Sequence, residues 1–192
     1  TYSKYSLADV LVPYQVTHPN VKFRIVNDSS DALYRQVLDG SVDVGFLRGD
    51  YEGPVNRTLL GDTRGFLVSK TPVELSALPG MHRLDYKTNE KTTGILTRWW
   101  EMCFANAYPS GMMVGHIDGA WKLIDEGMGY ALSFLPENFE NRYQLTLTPL
   151  TWPDETPVTR RTWFVYPKEK RLPEKLADFI KYTESLSAKV SE

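Results

Sequence analysis

Residues 38–49, LDGSVDVGFLRG, constrain the fold more than any other stretch of the chain. Leu38, Asp39 and Gly40 read as a helix end, with glycine just past the C-terminus, where the backbone turns left-handed. Val42, Val44, Phe46 and Leu47 follow as a nearly continuous apolar run. That is the pattern of a strand buried on both faces of a parallel α/β sheet. The strand delivers Arg48 at its carboxyl end, followed by the flexible pair Gly49 and Asp50. Ligands of open α/β sheets bind in the crevice beyond the carboxyl ends of strands. A guanidinium there offers a fixed fork of N–H groups to a carboxylate. The competing reading is a surface arginine paired with Asp50 or Asp62.

The rest of the chain extends this alternation. Leu7, Val10, Leu11 and Tyr14 fall at helical spacing, with Pro13 inside the pattern to kink the helix or delay its regular part. Residues 21–27, VKFRIVN, alternate apolar and polar and read as a strand. Ser29 and Ser30 offer N-cap oxygens to a helix lined by Leu33, Tyr34, Val37 and Leu38. Helix, strand, helix, strand implies a parallel sheet with right-handed crossovers. Residues 58–60 and 66–69, broken by Gly61 and Gly65, read as an extended crossing segment. A second βαβαβ-like unit then follows: a strand at 81–86, a helix at 93–107, a short strand at 112–114, a helix that Asp118 caps and Gly127 ends, and a buried strand at 130–135. Residues 145–150 and 158–166 are extended, with Thr162, Phe164 and Tyr166 on one face of the second. Pro173 suits the first position of a final helix.

Composition removes several functions. With 192 residues, the chain suffices for one large domain or two small lobes. A formal net charge of -2, without a long basic run, argues against nucleic-acid binding by this chain itself. The single cysteine, Cys103, allows no disulfide framework, and its helical, apolar setting predicts a buried, inert thiol. No apolar stretch reaches the length of a membrane span. The chain starts at Thr1 with no visible signal peptide and reads as a fragment of a cytoplasmic protein.

Three segments carry a family likeness: residues 7–26, a helix followed by His18-Pro19-Asn20-Val21 and an alternating strand; residues 38–46, LDGSVDVGF; and residues 114–136, VGHIDGAWKLIDEGMGYALSFLP. Over nearly its whole length the chain resembles the effector-binding domain of LysR-type transcriptional regulators. The resemblance implies a two-lobed, type 2 periplasmic-binding-protein-like α/β fold, with Rossmann-like lobes joined by two crossing strands. Lobe I would take residues 1–68 and 150–192, lobe II residues 69–149, with a small effector held in the cleft between them. It also implies a homodimer or homotetramer, pairing residues 7–16 and 21–26 of one chain with residues 118–126 of another. DNA would be reached only through a helix-turn-helix that this sequence lacks. Pro13 and the Trp99-Trp100 pair depart from the family's habit.

The resemblance implies that the effector is held by strand ends and helix N-termini, where free N–H groups and the dipole favour an anion, and the candidate ligand residues lie on such ends. They are Thr1 and Ser3 before the first helix, Ser29 and Ser30 before the second, and Thr92 and Thr93 at the first helix of lobe II. For each hydroxyl, simple capping competes with ligand binding, above all for Ser30. Arg48 matches a cleft-facing family position. Arg160 opens the returning strand, unless Arg161 faces in instead or both pair with Asp154 and Glu155. His116 precedes the Asp118 helix at a position that the family often turns to its effector; His18 and His82 lie in surface turns. Two arginines and several hydroxyls would suit a di- or tricarboxylate. No metal-ligand spacing, catalytic triad, acid/base pair or phosphate loop is present, so neither a cofactor nor an enzyme is expected. Two rivals share the fold class. A solute-binding protein of a transport system predicts an export signal and a monomer; an enzyme on this scaffold would need a catalytic group in the cleft.

Overall fold

The computed structural model describes residues 7–104, 106–136, 139–168 and 172–188. The chain divides into two compact units, one formed by residues 1–62 with 161–192 and the other by residues 63–160.

The first unit opens with α1 (Leu7–Thr17), which runs through Pro13 without a break in assignment. Proline there deletes one i→i−4 donor, and Pro13 lies on the exposed side of the helix. The opposite side buries Val10 and Tyr14 against Phe164, Phe179 and Ile180. Residues 21–27 correct the expectation of a strand: they form no ladder among the described residues. Their alternation survives only as burial, with Val21 and Phe23 half-buried and Lys22 and Arg24 exposed. Phe23 sets its edge against Tyr14 at 6.1 Å.

Helix α2 (Ser30–Asp39) is capped at both ends as its sequence demands. Ser29 accepts the Ala32 N–H, and Gly40 takes φ 79° beyond the last turn. Strand β1 is shorter than the apolar run, covering Gly45–Arg48. It pairs antiparallel with β7 (Thr159–Pro167), Gly45 facing Val165 and Arg48 facing Thr162. The parallel sheet expected in this unit is therefore replaced, among the described residues, by an antiparallel ladder whose second strand lies far along the chain. Leu47 and Val165 face α2 through Val37, and Phe46 and Phe164 face α1 and α5 (Glu174–Ala188).

Strand β2 (Val55–Ser69) is the crossing segment, continuous through both glycines. It and β7 are neighbours in the strand order β1-β7-β2-β5. In the second unit, the end of β2 pairs antiparallel with β5 (Tyr130–Leu135) and with β6 (Thr146–Pro149). The expected βαβαβ arrangement is present there: β3 (Leu84–Tyr86), α3 (Glu90–Phe104), β4 (Met112–Val114), α4 (Ile117–Asp125), then β5. β3 and β4 are parallel, and Arg83 makes an isolated parallel bridge to Tyr130 at the start of β5. Trp99 and Trp100 are fully buried in this unit's core, their indole N–H groups donating to Thr151 O at 2.8 Å and Asn106 Oδ1 at 3.0 Å. Cys103 is exposed on α3, against the expectation of a buried thiol, because the two tryptophans take the inward face.

Candidate ligand-binding site

In the first unit, two of the expected residues meet, Ser30 and the backbone of Arg48. Ser29 Oγ accepts the Ala32 N–H at 3.2 Å and does the capping. Ser30 is already inside the helix; its Oγ accepts the backbone N–H of Arg48 at 3.0 Å, tying the start of α2 to the carboxyl end of β1. Asp50 does not take up the Arg48 side of the competing reading. It accepts the Trp163 indole N–H at 2.8 Å and lies 3.7 Å from the exposed Arg161. Arg48 is half-buried, and its ladder partner Thr162 stands on the same face of the β1–β7 pair, 4% exposed. Thr162 was not among the sequence candidates, although the alternation of β7 placed it on the core-facing side. Thr1 and Ser3 lie outside the described residues.

In the second unit, Asn89 caps α3 by accepting the Thr92 N–H at 2.7 Å. The helix therefore starts earlier than its apolar pattern implied, and Thr92 and Thr93 sit within its first turn rather than before it. Their side chains diverge. Thr92 is fully buried and accepts from Arg160 Nη1 at 3.2 Å. Thr93 is exposed and donates to Asn89 O at 3.3 Å. Arg160 is 5% exposed, its guanidinium 4.9 Å from the Phe134 ring centre. Arg160 is thus the inward member of its pair and Arg161 the outward one. Asp154 binds Thr156 instead of either arginine, and those hydrogen bonds hold its carboxyl below the usual range.

A cavity of about 380 Å³ opens at the carboxyl ends of β3 and β4, lined by Tyr86, Lys87, Thr88, Thr93, Met113 and Val114. That is where an open α/β sheet receives ligands. Gly115 completes the lining, and the next residue, His116, is exposed at the N-cap position of α4 without making a cap bond. Asp118, expected as that cap, lies in the helix's first turn.

The start of β3 is fixed by an ion pair between the buried Arg83 and the half-buried Asp85. Arg83 donates from Nε and Nη2 to both oxygens of Asp85, at 2.7 and 2.8 Å, with its guanidinium 3.6 Å over the Tyr108 ring. Asp85 also accepts the Gly111 N–H at 3.1 Å, anchoring the approach to β4. Burial pushes the Tyr108 phenol well up and the Tyr130 phenol up to about 12. Among the described residues, no group of three or more His, Cys, Asp or Glu is placed to hold a metal ion, and no helix is long and apolar enough to cross a membrane.

The chain is 24% identical over 184 residues to the HTH-type transcriptional regulator YraN of Bacillus subtilis; the match covers 94% of this chain and 63% of that protein. Among solved structures, the C-terminal domain of a probable LysR family regulator from Rhodococcus sp. RHA1 superposes with a TM-score of 0.75 at 15% identity, covering 92% of this chain and 91% of that one. The Synechocystis CcmR regulatory domain, in complex with 2-PG, superposes with a TM-score of 0.72 at 14% identity, covering 93% and 89%. These likenesses establish the type 2 periplasmic-binding-protein-like fold. The model of the LysR substrate binding domain matches residues 1–187, and the chain belongs to that family.

Proposed function

We propose that this chain is the ligand-sensing domain of a LysR-type, DNA-binding transcriptional regulator of the cytoplasm, taking a small anionic metabolite of the di- or tricarboxylate kind. The observation that carries the anionic reading is Arg48. Its backbone is tied to the first turn of α2 through Ser30, and its side chain leaves the carboxyl end of a strand. The cavity beside Lys87 and Thr93 gives the second unit polar groups of matching chemistry. A neighbour of the same fold was solved in complex with 2-PG, which adds that compound to the ligands to test. The solute-binding alternative is not favoured, since the curated relatives YraN and YkuM are named HTH-type transcriptional regulators. DNA binding belongs to the intact protein.

The ligand acts by binding one conformation more tightly than another, and shifts the balance only by that difference. Oligomerisation through α1, residues 21–26 and α4 is part of the same proposal. Val12 at 61% exposed, Val16 at 77% and Ile25 at 57% support it, being apolar side chains left in water on the first unit.

The test is a thermal-shift screen of the purified chain against carboxylates, 2-PG and neutral metabolites. A ligand at 100 times its dissociation constant should raise the melting temperature by roughly 5–10 °C. Arg48→Ala should then weaken binding by about 10- to 100-fold, the loss of a charge-assisted hydrogen bond. A neutral ligand that stabilises the wild type and Arg48→Ala equally would sink the anionic reading.

A further inference from the structure

We infer that Thr162 is a specificity-determining residue, whose hydroxyl hydrogen-bonds an oxygen of the anion that Arg48 attracts. The inference rests on the anionic reading above and deepens it. Thr162 is 4% exposed, and its Oγ1 is buried without a hydrogen-bond partner. Buried hydroxyls are nearly always satisfied. Others in this chain follow the rule: Thr92 accepts from Arg160, Thr183 donates to Phe179 O at 2.9 Å, and Ser133 pairs with Tyr86 at 2.7 Å.

Packing gives no reason for a hydroxyl at this place. Thr162 shares its face of β7 with Phe164, which sits in an apolar cluster with Val10, Phe179 and Ile180. Valine has the same branched shape and favours a strand as well. What distinguishes the position is its neighbour: Thr162 stands directly opposite Arg48 in the ladder, at the carboxyl end of β1. A guanidinium carries donors only. A third group that accepts from both side chains must be an acceptor, and the charge beside it selects an oxyanion, whether carboxylate or phosphate.

The experiment compares the wild type with Thr162→Val and Thr162→Ser, each measured alone and with citrate, benzoate or inorganic phosphate, by thermal shift and titration calorimetry. Thr162→Val alone should melt about 2–4 °C higher, since an unsatisfied buried hydroxyl is gone. It should bind the active probe roughly tenfold more weakly. Thr162→Ser should keep the affinity, and whether citrate and benzoate or phosphate is active separates the carboxylate from the phosphate source. A less stable Thr162→Val would mean that the hydroxyl has a structural partner, which overturns the assignment. Equal affinity of wild type and Thr162→Val for an active probe overturns it while leaving the anionic reading intact. If no probe stabilises the wild type, the anionic reading falls and takes the assignment with it.

Discussion

At the scale of single residues, the contacts separate side chains that bind from side chains that build. Arg83 builds. It is buried, clamps Asp85 with two hydrogen bonds and covers Tyr108. Arg83→Ala strands a partly buried carboxylate and should cost about 3 kcal/mol, read as a lower midpoint in chemical denaturation. Gly129 is equally fixed: its φ is 146°, and a Cβ there would meet His82 O at 2.0 Å, so Gly129→Ala should prevent stable folding, visible as lost near-UV dichroism. Buried phenols add a pH dependence. Tyr14 is raised to about 12 by burial and by its bond to Asp178, and Tyr130 to about 12 by burial. An unfolded tyrosine titrates near 10, so folding favours the neutral phenol. The stabilisation is complete below about pH 10 and is lost as pH rises towards 12. Denaturation midpoints measured from pH 9 to 11.5 should fall, and Tyr14→Phe should flatten the fall. Arg48 and Ser30 could be nominated from the sequence because strand ends and helix starts are local features. The proposed role of Thr162 could not, because a hydroxyl's lack of a partner is a fact of tertiary packing.

Elements were legible where their signals were local. Gly40 ended α2 as its position required, and β2 emerged as one long crossing strand despite two glycines. α3 began earlier than its apolar periodicity because Asn89, a polar residue outside that period, supplies the cap. Residues 21–27 have a strand's alternation but form no ladder among the described residues, since a strand depends on a neighbour that its own sequence does not name. β1 shows the same dependence, its antiparallel partner being β7. α1 tests helix propensity directly. Pro13 is exposed and its ring removes one main-chain hydrogen bond, so Pro13→Ala should raise stability by about 1–2 kcal/mol, part of the roughly 3 kcal/mol that separates proline from alanine in a helix interior. The measurement is the shift in denaturant midpoint at unchanged slope.

At the scale of the whole molecule, the exposed Val16 and Ile25 belong to the proposed pairing surface. The double variant Val16→Asp, Ile25→Asp should sediment as a monomer, with a melting temperature within a few degrees of the wild type, because exposed positions contribute little to the fold. The division of the chain has a further outcome during synthesis. Residues 63–160 are one uninterrupted stretch, whereas the other unit is assembled from both ends of the chain. Translation runs at roughly 5–20 residues per second, so β1 waits several seconds on the ribosome before β7 emerges to meet it. The inserted unit is synthesised in that interval, its last residues emerging with the start of β7. The unit made first is completed last, and its open strand edge is the part of the nascent chain most in need of a chaperone.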